Sequence, residues 1–408
     1  MLLLLLVALA FYLAFNLGAN DVANAMGTSV GSGALSLRRA LLVAGVLELT
    51  GAVLFGKAVS TTIGTGIVNP SLFVDRPQML LLGMMVVLLA CALWLQIATA
   101  KGLPVSSSHA VVGALAGFGI LAVGKQAVDW PQIGVISLTW LVTPPVSGLV
   151  ACALYSGLRR WILEPPDAWA RLREWVPWLS AGLCAAFGTL VLPTVSKPLQ
   201  VLLAQRGLDL PNHDLPLLLG TVGAIGLTAA SWRALDRQNT NIEQQLARFQ
   251  VLSACCVAFA HGSNDVGNAI APLAVAVEIL KTDAVPLQSL DIPLWVLALG
   301  GVGLVTGLAV LGARVIKTVG EGIISLQPSG GFCAELATAI TVLLASRLGL
   351  PVSTSHALVG GVVGVGLVRG LGTINLSTVR QIALAWLVTI PIAALLAAGL
   401  FWLLNRWF

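Results

Sequence analysis

Gly18-Ala19-Asn20-Asp21-Val22-Ala23-Asn24-Ala25 and Gly262-Ser263-Asn264-Asp265-Val266-Gly267-Asn268-Ala269 are one phrase written twice in a chain of 408 residues. Each copy sets two amides and a carboxylate inside an apolar run. Ionisable groups at membrane depth cost about 2.5–3.5 kcal/mol each on insertion scales, so they mark ion or substrate paths. The duplication reads as two halves of one site.

The surrounding sequence is that of an integral membrane protein. Hydrophobic residues make up 57% of it and charged ones only 10%, with a mean hydropathy of +0.94, whereas soluble domains carry roughly 25% charge. The apolar start, residues 1–15, lacks a basic leader and runs straight into the first phrase, so it is expected to be a retained span and not a signal peptide. A net charge of +5 fits the basic bias of cytoplasmic loops. No basic patch is interleaved with aromatics, which argues against nucleic-acid binding. The six cysteines lie in apolar runs without C-x-x-C spacing, so no metal or redox role is expected of them.

Apolar windows fall near 2–28, 38–56, 79–98, 104–123, 131–157, 178–195, 214–231, 249–280, 292–316, 331–348, 352–369 and 378–405. The Gly- and Pro-rich pieces at 57–75, 102–123 and 349–369 are candidates for re-entrant hairpins, which are tolerated where they line a cavity. Loops after odd-numbered windows hold more Lys and Arg than the others, which favours an N-terminus outside the cell. Residues 158–177, with Trp161, Trp169 and Trp175 among arginines, read as an amphipathic interfacial segment.

Further blocks repeat in the same order. Gly102-Leu103-Pro104-Val105-Ser106-Ser107-Ser108-His109-Ala110 matches Gly349-Leu350-Pro351-Val352-Ser353-Thr354-Ser355-His356-Ala357, and Trp140-Leu141-Val142-Thr143 matches Trp386-Leu387-Val388-Thr389. The expected organisation is a first repeat over 1–157, a connecting region over 158–248 and a second repeat over 249–408. The first phrase lies in window 1 and its copy in window 8, an odd number of crossings apart. The fold expected is therefore an all-α membrane protein of about twelve transmembrane helices in two inverted-topology repeats.

Gly18 with Asn20-Asp21, and Gly262 with Asn264-Asp265, are poor helix formers and are expected to break their helices near the midplane. A broken helix frees N–H groups that attract anions and C=O groups that, with Asp and Asn oxygens, attract a hard cation. Asp21, Asn24, Asp265 and Asn268 are the candidate cation ligands, and Glu48 and Glu335, also in apolar windows, are further cation or proton sites. The hydroxyls of Ser106, Ser107, Ser108, Ser353, Thr354 and Ser355, with Asn20, Asp21, Asn264 and Asp265, make a site suited to a tetrahedral oxyanion. An anion beside Asp21 and Asp265 is repelled: two unit charges about 5 Å apart cost roughly 3 kcal/mol at an effective dielectric of about 20. Na+ or H+ would remove that cost, so anion and cation are expected to bind together. His109 and His356 are expected to orient their turns. His261 has Leu17 at the matching place, which leaves a structural and a gating role equally open. A Ser–His nucleophile pair is conceivable at 106–109 or 353–356, but its duplication and the lack of an orienting acid argue against an enzyme.

The paired G-x-N-D-V-x-N-A and G-L-P-V-S-x-S-H-A phrases resemble those of the inorganic phosphate transporter (PiT) family, over residues 11 to about 400. The resemblance implies uptake of inorganic phosphate driven by Na+ or H+, from a central site formed by both repeats, in a homodimer of the cell (inner) membrane. It implies no cofactor. The family's essential carboxylates match Asp21, Glu48, Asp265 and Glu335, and its histidine before the second phrase matches His261. The connecting stretch at 232–248 is short where animal members carry a large loop, which points to a prokaryotic-type member. Permeases for sulfate or another oxyanion, and a passive channel, are the rival readings.

Overall fold

Each expected apolar window holds one helix. The computed structural model describes residues 1–208, 210–237, 241–287 and 290–406. In chain order the helices are α1 (Leu2–Gly31), α2 (Leu37–Gly66), α3 (Pro77–Ala100), α4 (Ser107–Val123), α5 (Trp130–Leu158), α6 (Ala168–Gln205), α7 (Asp214–Arg237), α8 (Ile242–Thr282), α9 (Leu294–Gly322), α10 (Pro328–Arg347), α11 (Thr354–Arg369) and α12 (Leu376–Leu404). Among the described residues, nine helices are long and apolar enough to cross a membrane. The helices α4 and α11 have only 17 and 16 residues, short of the roughly 20 that a bilayer core needs.

The breaks lie elsewhere than the Gly-x-Asn-Asp phrases. Both α1 and α8 run unbroken through them, because the glycines admit a neighbouring backbone and the polar side chains find partners across the bundle. The chain turns instead at Gly102 and Gly349, whose φ values of +66° and +68° suit glycine alone. Each turn closes by the same pair of bonds, Leu103 N to Ala98 O and Gly102 N to Thr99 O in one, Leu350 N to Ala345 O and Gly349 N to Ser346 O in the other. This is the Schellman ending of a helix. It joins α3 to α4 and α10 to α11 as two helical hairpins, in which the stretches 102–123 and 349–369, expected as hairpins themselves, supply the turn and the second arm. Residues 57–66 are not a hairpin; they complete α2.

Glycine sets the close approaches, and it does so in matched pairs. A Cβ added at Gly18 would strike the Leu304 carbonyl, and one at Gly262 the Glu48 carbonyl; Gly51 abuts Phe259 O and Gly307 abuts Phe15 O. The contacts join α1 to α9 and α2 to α8. A second set joins α4 to α12 at Gly113 and Gly117, and α11 to α5 at Gly360 and Gly364. Exchanging the two halves turns each contact into its partner. Small residues allow this backbone-to-backbone packing, which is how helices associate where no hydrophobic drive acts between them.

In the connecting region, residues 158–177 make an elbow that leads into α6, with the Trp161 and Trp175 rings stacked 4.9 Å apart and Arg159 paired to Glu164 at 2.7 Å. The helix α7 packs against α6 and turns Leu217, Leu218 and Ile225 outward. Substituting Gly51 by Val should abolish folded protein on size-exclusion chromatography in detergent, because the Phe259 backbone cannot yield. Gly134→Ala, in open space, should elute normally and gain up to about 1 kcal/mol from helix propensity.

Candidate functional site

Two short helices begin beside the middle of α1 and α8, and the amides of the repeated phrase hold them there. Asn20 Nδ2 donates to Thr99 Oγ1 (3.0 Å) and Leu103 O (3.2 Å), while its Oδ1 accepts from Val105 N at 3.3 Å. Asn264 Nδ2 donates to Ser346 Oγ (3.0 Å) and Leu350 O (3.1 Å). Both amide nitrogens are therefore occupied by the hairpin turns, while Asn264 Oδ1, unlike Asn20 Oδ1, is buried without a donor. Ser106 and Ser353 then cap α4 and α11, accepting from His109 N and His356 N. The remaining first-turn N–H groups have no intrahelical acceptor.

The hydroxyls divide into those already engaged and those not. Ser108 donates to Val352 O at 3.0 Å, tying one hairpin to the other. Thr354 donates to Asp265 Oδ2 at 2.8 Å. Asn268 Nδ2 donates to Ser107 Oγ (3.2 Å) and Ser108 Oγ (3.1 Å), and Ser353 and Ser355 share a bond of 2.8 Å. The Ser106 oxygen serves as a cap and its proton is spare. Donors for an anion are thus mainly the two helix N-termini, with Ser106 and the Ser353–Ser355 pair beside them.

Opposite these donors stand buried carboxylates. Asp21, His261 and Asp265 bring one ligand atom each to within 4.8 Å of one another. His261 lies between two acids, with Nδ1 3.1 Å from Glu48 Oε1 and Nε2 3.0 Å from Asp265 Oδ2, all of them buried. Imidazole serves both carboxylates only with a proton on each nitrogen. Asn24 Nδ2 donates to Asp21 Oδ1 at 3.3 Å. Asp21 Oδ2, Asp265 Oδ1 and Asn268 Oδ1 are buried without a hydrogen-bond donor, a set of oxygens that suits a hard cation. Even with His261 doubly protonated, three carboxylates outnumber one imidazolium.

The sequence as a whole fits this geometry. Residues 17–397 match the family model described as the phosphate transporter family. The chain belongs to that family. It is 39% identical over 425 residues to inorganic phosphate transporter 2-1, chloroplastic, of Arabidopsis thaliana, covering 97% of this chain and 71% of the relative. A solved structure described as the sodium-dependent phosphate transporter is similar throughout, with a TM-score of 0.89, 36% identity and 99% of both chains covered.

Glu335 lies apart from the central cluster of this phosphate transporter family member. Its Oε1 accepts from Thr28 Oγ1 (2.6 Å), Ser29 Oγ (2.6 Å) and Gln250 Nε2 (3.2 Å), and its Oε2 from Ser253 Oγ (2.7 Å). Four donors from α1 and α8 thus converge on one carboxylate of α10. Neither this nest nor the His261 bridge is duplicated. Leu17 and Leu304 hold the places of His261 and Glu48, and Leu88 that of Glu335; all three leucines are fully buried. Thr28, Ser29, Gln250 and Ser253 escaped the sequence reading because they belong to no repeated phrase. Their one visible signal is polarity inside apolar helices.

An apolar cavity of about 610 Å³ between α6 and α7 lies away from these groups. Convergent polar atoms, not volume, mark the site. Replacing Glu335 by Gln would strand part of the donor nest, at a cost of about 1–3 kcal/mol. Thermal unfolding in detergent should show a lower midpoint for Glu335→Gln than for Thr28→Val, which removes one donor of the four.

Proposed function

We propose that this chain is a secondary active transporter that takes up inorganic phosphate by symport with Na+. The observation that carries the reading is the meeting of two unlike poles in one buried site. The N-termini of α4 and α11 offer N–H donors, and Asp21, Asp265 and Asn268 face them with unfilled oxygens. Phosphate would bind at the donor pole, against the N–H groups, Ser106 and the Ser353–Ser355 pair. Na+ would bind at the acceptor pole, held by Asp21, Asn24, Asp265 and Asn268. Neither cargo is stable alone: the anion is repelled by the carboxylates, and the excess of carboxylate calls for a cation. Na+ is favoured over H+ by the likeness to a structure described as sodium-dependent and by the oxygen-only ligand set. Asn20 and Asn264 act by holding the hairpin turns, and Glu48 through His261. Glu335 serves coupling by holding α1, α8 and α10 in register.

The paired glycine contacts support two inverted repeats, 1–157 and 249–408, moving so that the site opens to each side in turn. The resemblance to the PiT family supports a homodimer in the cell membrane, and the Lys and Arg bias of the loops supports an N-terminus outside.

Phosphate uptake into liposomes, under Na+ and pH gradients imposed separately, tests the coupling. Uptake should follow the Na+ gradient and persist when the pH gradient is collapsed; the reverse would assign H+. Asp21→Asn and Asp265→Asn should each abolish Na+-dependent uptake. Excess sulfate should leave labelled phosphate uptake unchanged, and competition by sulfate would make the protein a general oxyanion permease.

A further inference from the structure

Both hairpin phrases carry a histidine just before their final alanine, and the two rings meet. The His109 and His356 ring centroids lie 4.8 Å apart, in the first turns of α4 and α11. A tryptophan flanks each: His109 lies 3.9 Å from the Trp140 ring, and His356 lies 3.7 Å from the Trp386 ring. The rings therefore follow one another in the order Trp140, His109, His356, Trp386, tilted at the tryptophans and edge to face between the histidines, with both halves of the chain in the row.

The hydrogen bonds cross this row. His109 Nδ1 lies 3.2 Å from Trp386 O, and His356 Nδ1 lies 3.0 Å from Trp140 O. A carbonyl only accepts, so Nδ1 carries the proton in each ring and Nε2 is left bare. Both Nε2 atoms are buried without a partner. Trp140 O is free for this bond because the residue four places on is Pro144, which has no N–H to return. Trp140 Nε1 in turn donates to Pro351 O at 3.0 Å, inside the opposite hairpin turn.

Helix N-termini carry about half a positive charge each, so two of them aimed at one volume repel when no anion lies between. Something must hold them at a fixed separation. We infer that His109 and His356 are positioning residues that set the spacing between the two anion-facing helix N-termini, each by anchoring its own helix to the backbone of the other half. Neither ring needs to touch phosphate. This rests on the proposed phosphate site and adds the parts that fix its width.

The test is phosphate uptake into liposomes at saturating Na+, read as KM and maximal rate per folded transporter. His109→Ala and His356→Ala should each raise the phosphate KM about five- to tenfold, the worth of one lost buried hydrogen bond. The maximal rate and the half-saturating Na+ concentration should stay within about twofold of wild type. The double alanine variant should fall well short of the product of the two singles, since the two rings are in contact and fix one spacing. Asparagine places an N–H where Nδ1 was, so His109→Asn and His356→Asn should recover most of the affinity. Glutamine reaches past the carbonyl and should not. If the alanine variants do not fold, the Asn–Gln difference alone decides. Unchanged KM in the alanine variants, equal KM in the Asn and Gln variants, or multiplying effects in the double variant would each overturn the inference. A wild-type protein without saturable phosphate uptake would sink the phosphate site itself, and the inference with it.

Discussion

A bilayer offers no water to a helix that starts inside it, and that constraint organises this molecule. The N-termini of α4 and α11 begin beside the middle of α1 and α8, where unpaired N–H groups are costly. Asn20 and Asn264 relieve the turns that precede them, and Ser106 and Ser353 relieve the first helical residues. Under the proposed function, what remains unpaired serves the anion. The polar residues of the repeated phrases thus do two jobs: one amide of each phrase fixes the donor pole, and the carboxylate beside it forms the acceptor pole.

Glycine makes the arrangement possible by removing side chains where backbones must meet. The approaches of Gly18 to Leu304 and Gly262 to Glu48 bring α1 against α9 and α8 against α2 at the level of the site. At one of these two crossings the neighbouring residues are His261 and Glu48, and at the other they are Leu17 and Leu304. The frame is duplicated while the charge is not. Asp265 Oδ2 has two partners, His261 and Thr354, and Asp21 Oδ1 has Asn24, while each carboxylate keeps its other oxygen without a hydrogen bond.

Much of the fold could be read from residue order because lipid leaves a chain few choices. Twelve apolar windows became twelve helices, and the Gly-Leu-Pro phrases became hairpin turns through glycines with positive φ. The misreading concerned the Gly-x-Asn-Asp phrases. Low helix propensity suggested a break there, but propensity is a small term, and tertiary packing at Gly18 and Gly262 outweighs it. The carboxylates were legible because charge is rare in such a chain. The roles of Asn20 and Asn264, the donors around Glu335 and the row of rings were not, since each depends on which distant helix a side chain meets. No spacing along the chain encodes that His109 bonds the backbone of Trp386.

The helices α6 and α7 stand outside the paired contacts and come as a pair. Five helices precede them and five follow. A chain that re-enters the bilayer after an even number of passes does so from the same side as if those passes were missing. The α6–α7 pair can therefore be lengthened, replaced or lost as a unit without changing which way the second five helices face. Loss of either helix alone would turn that half over and split each pole of the site, because both poles draw residues from both halves.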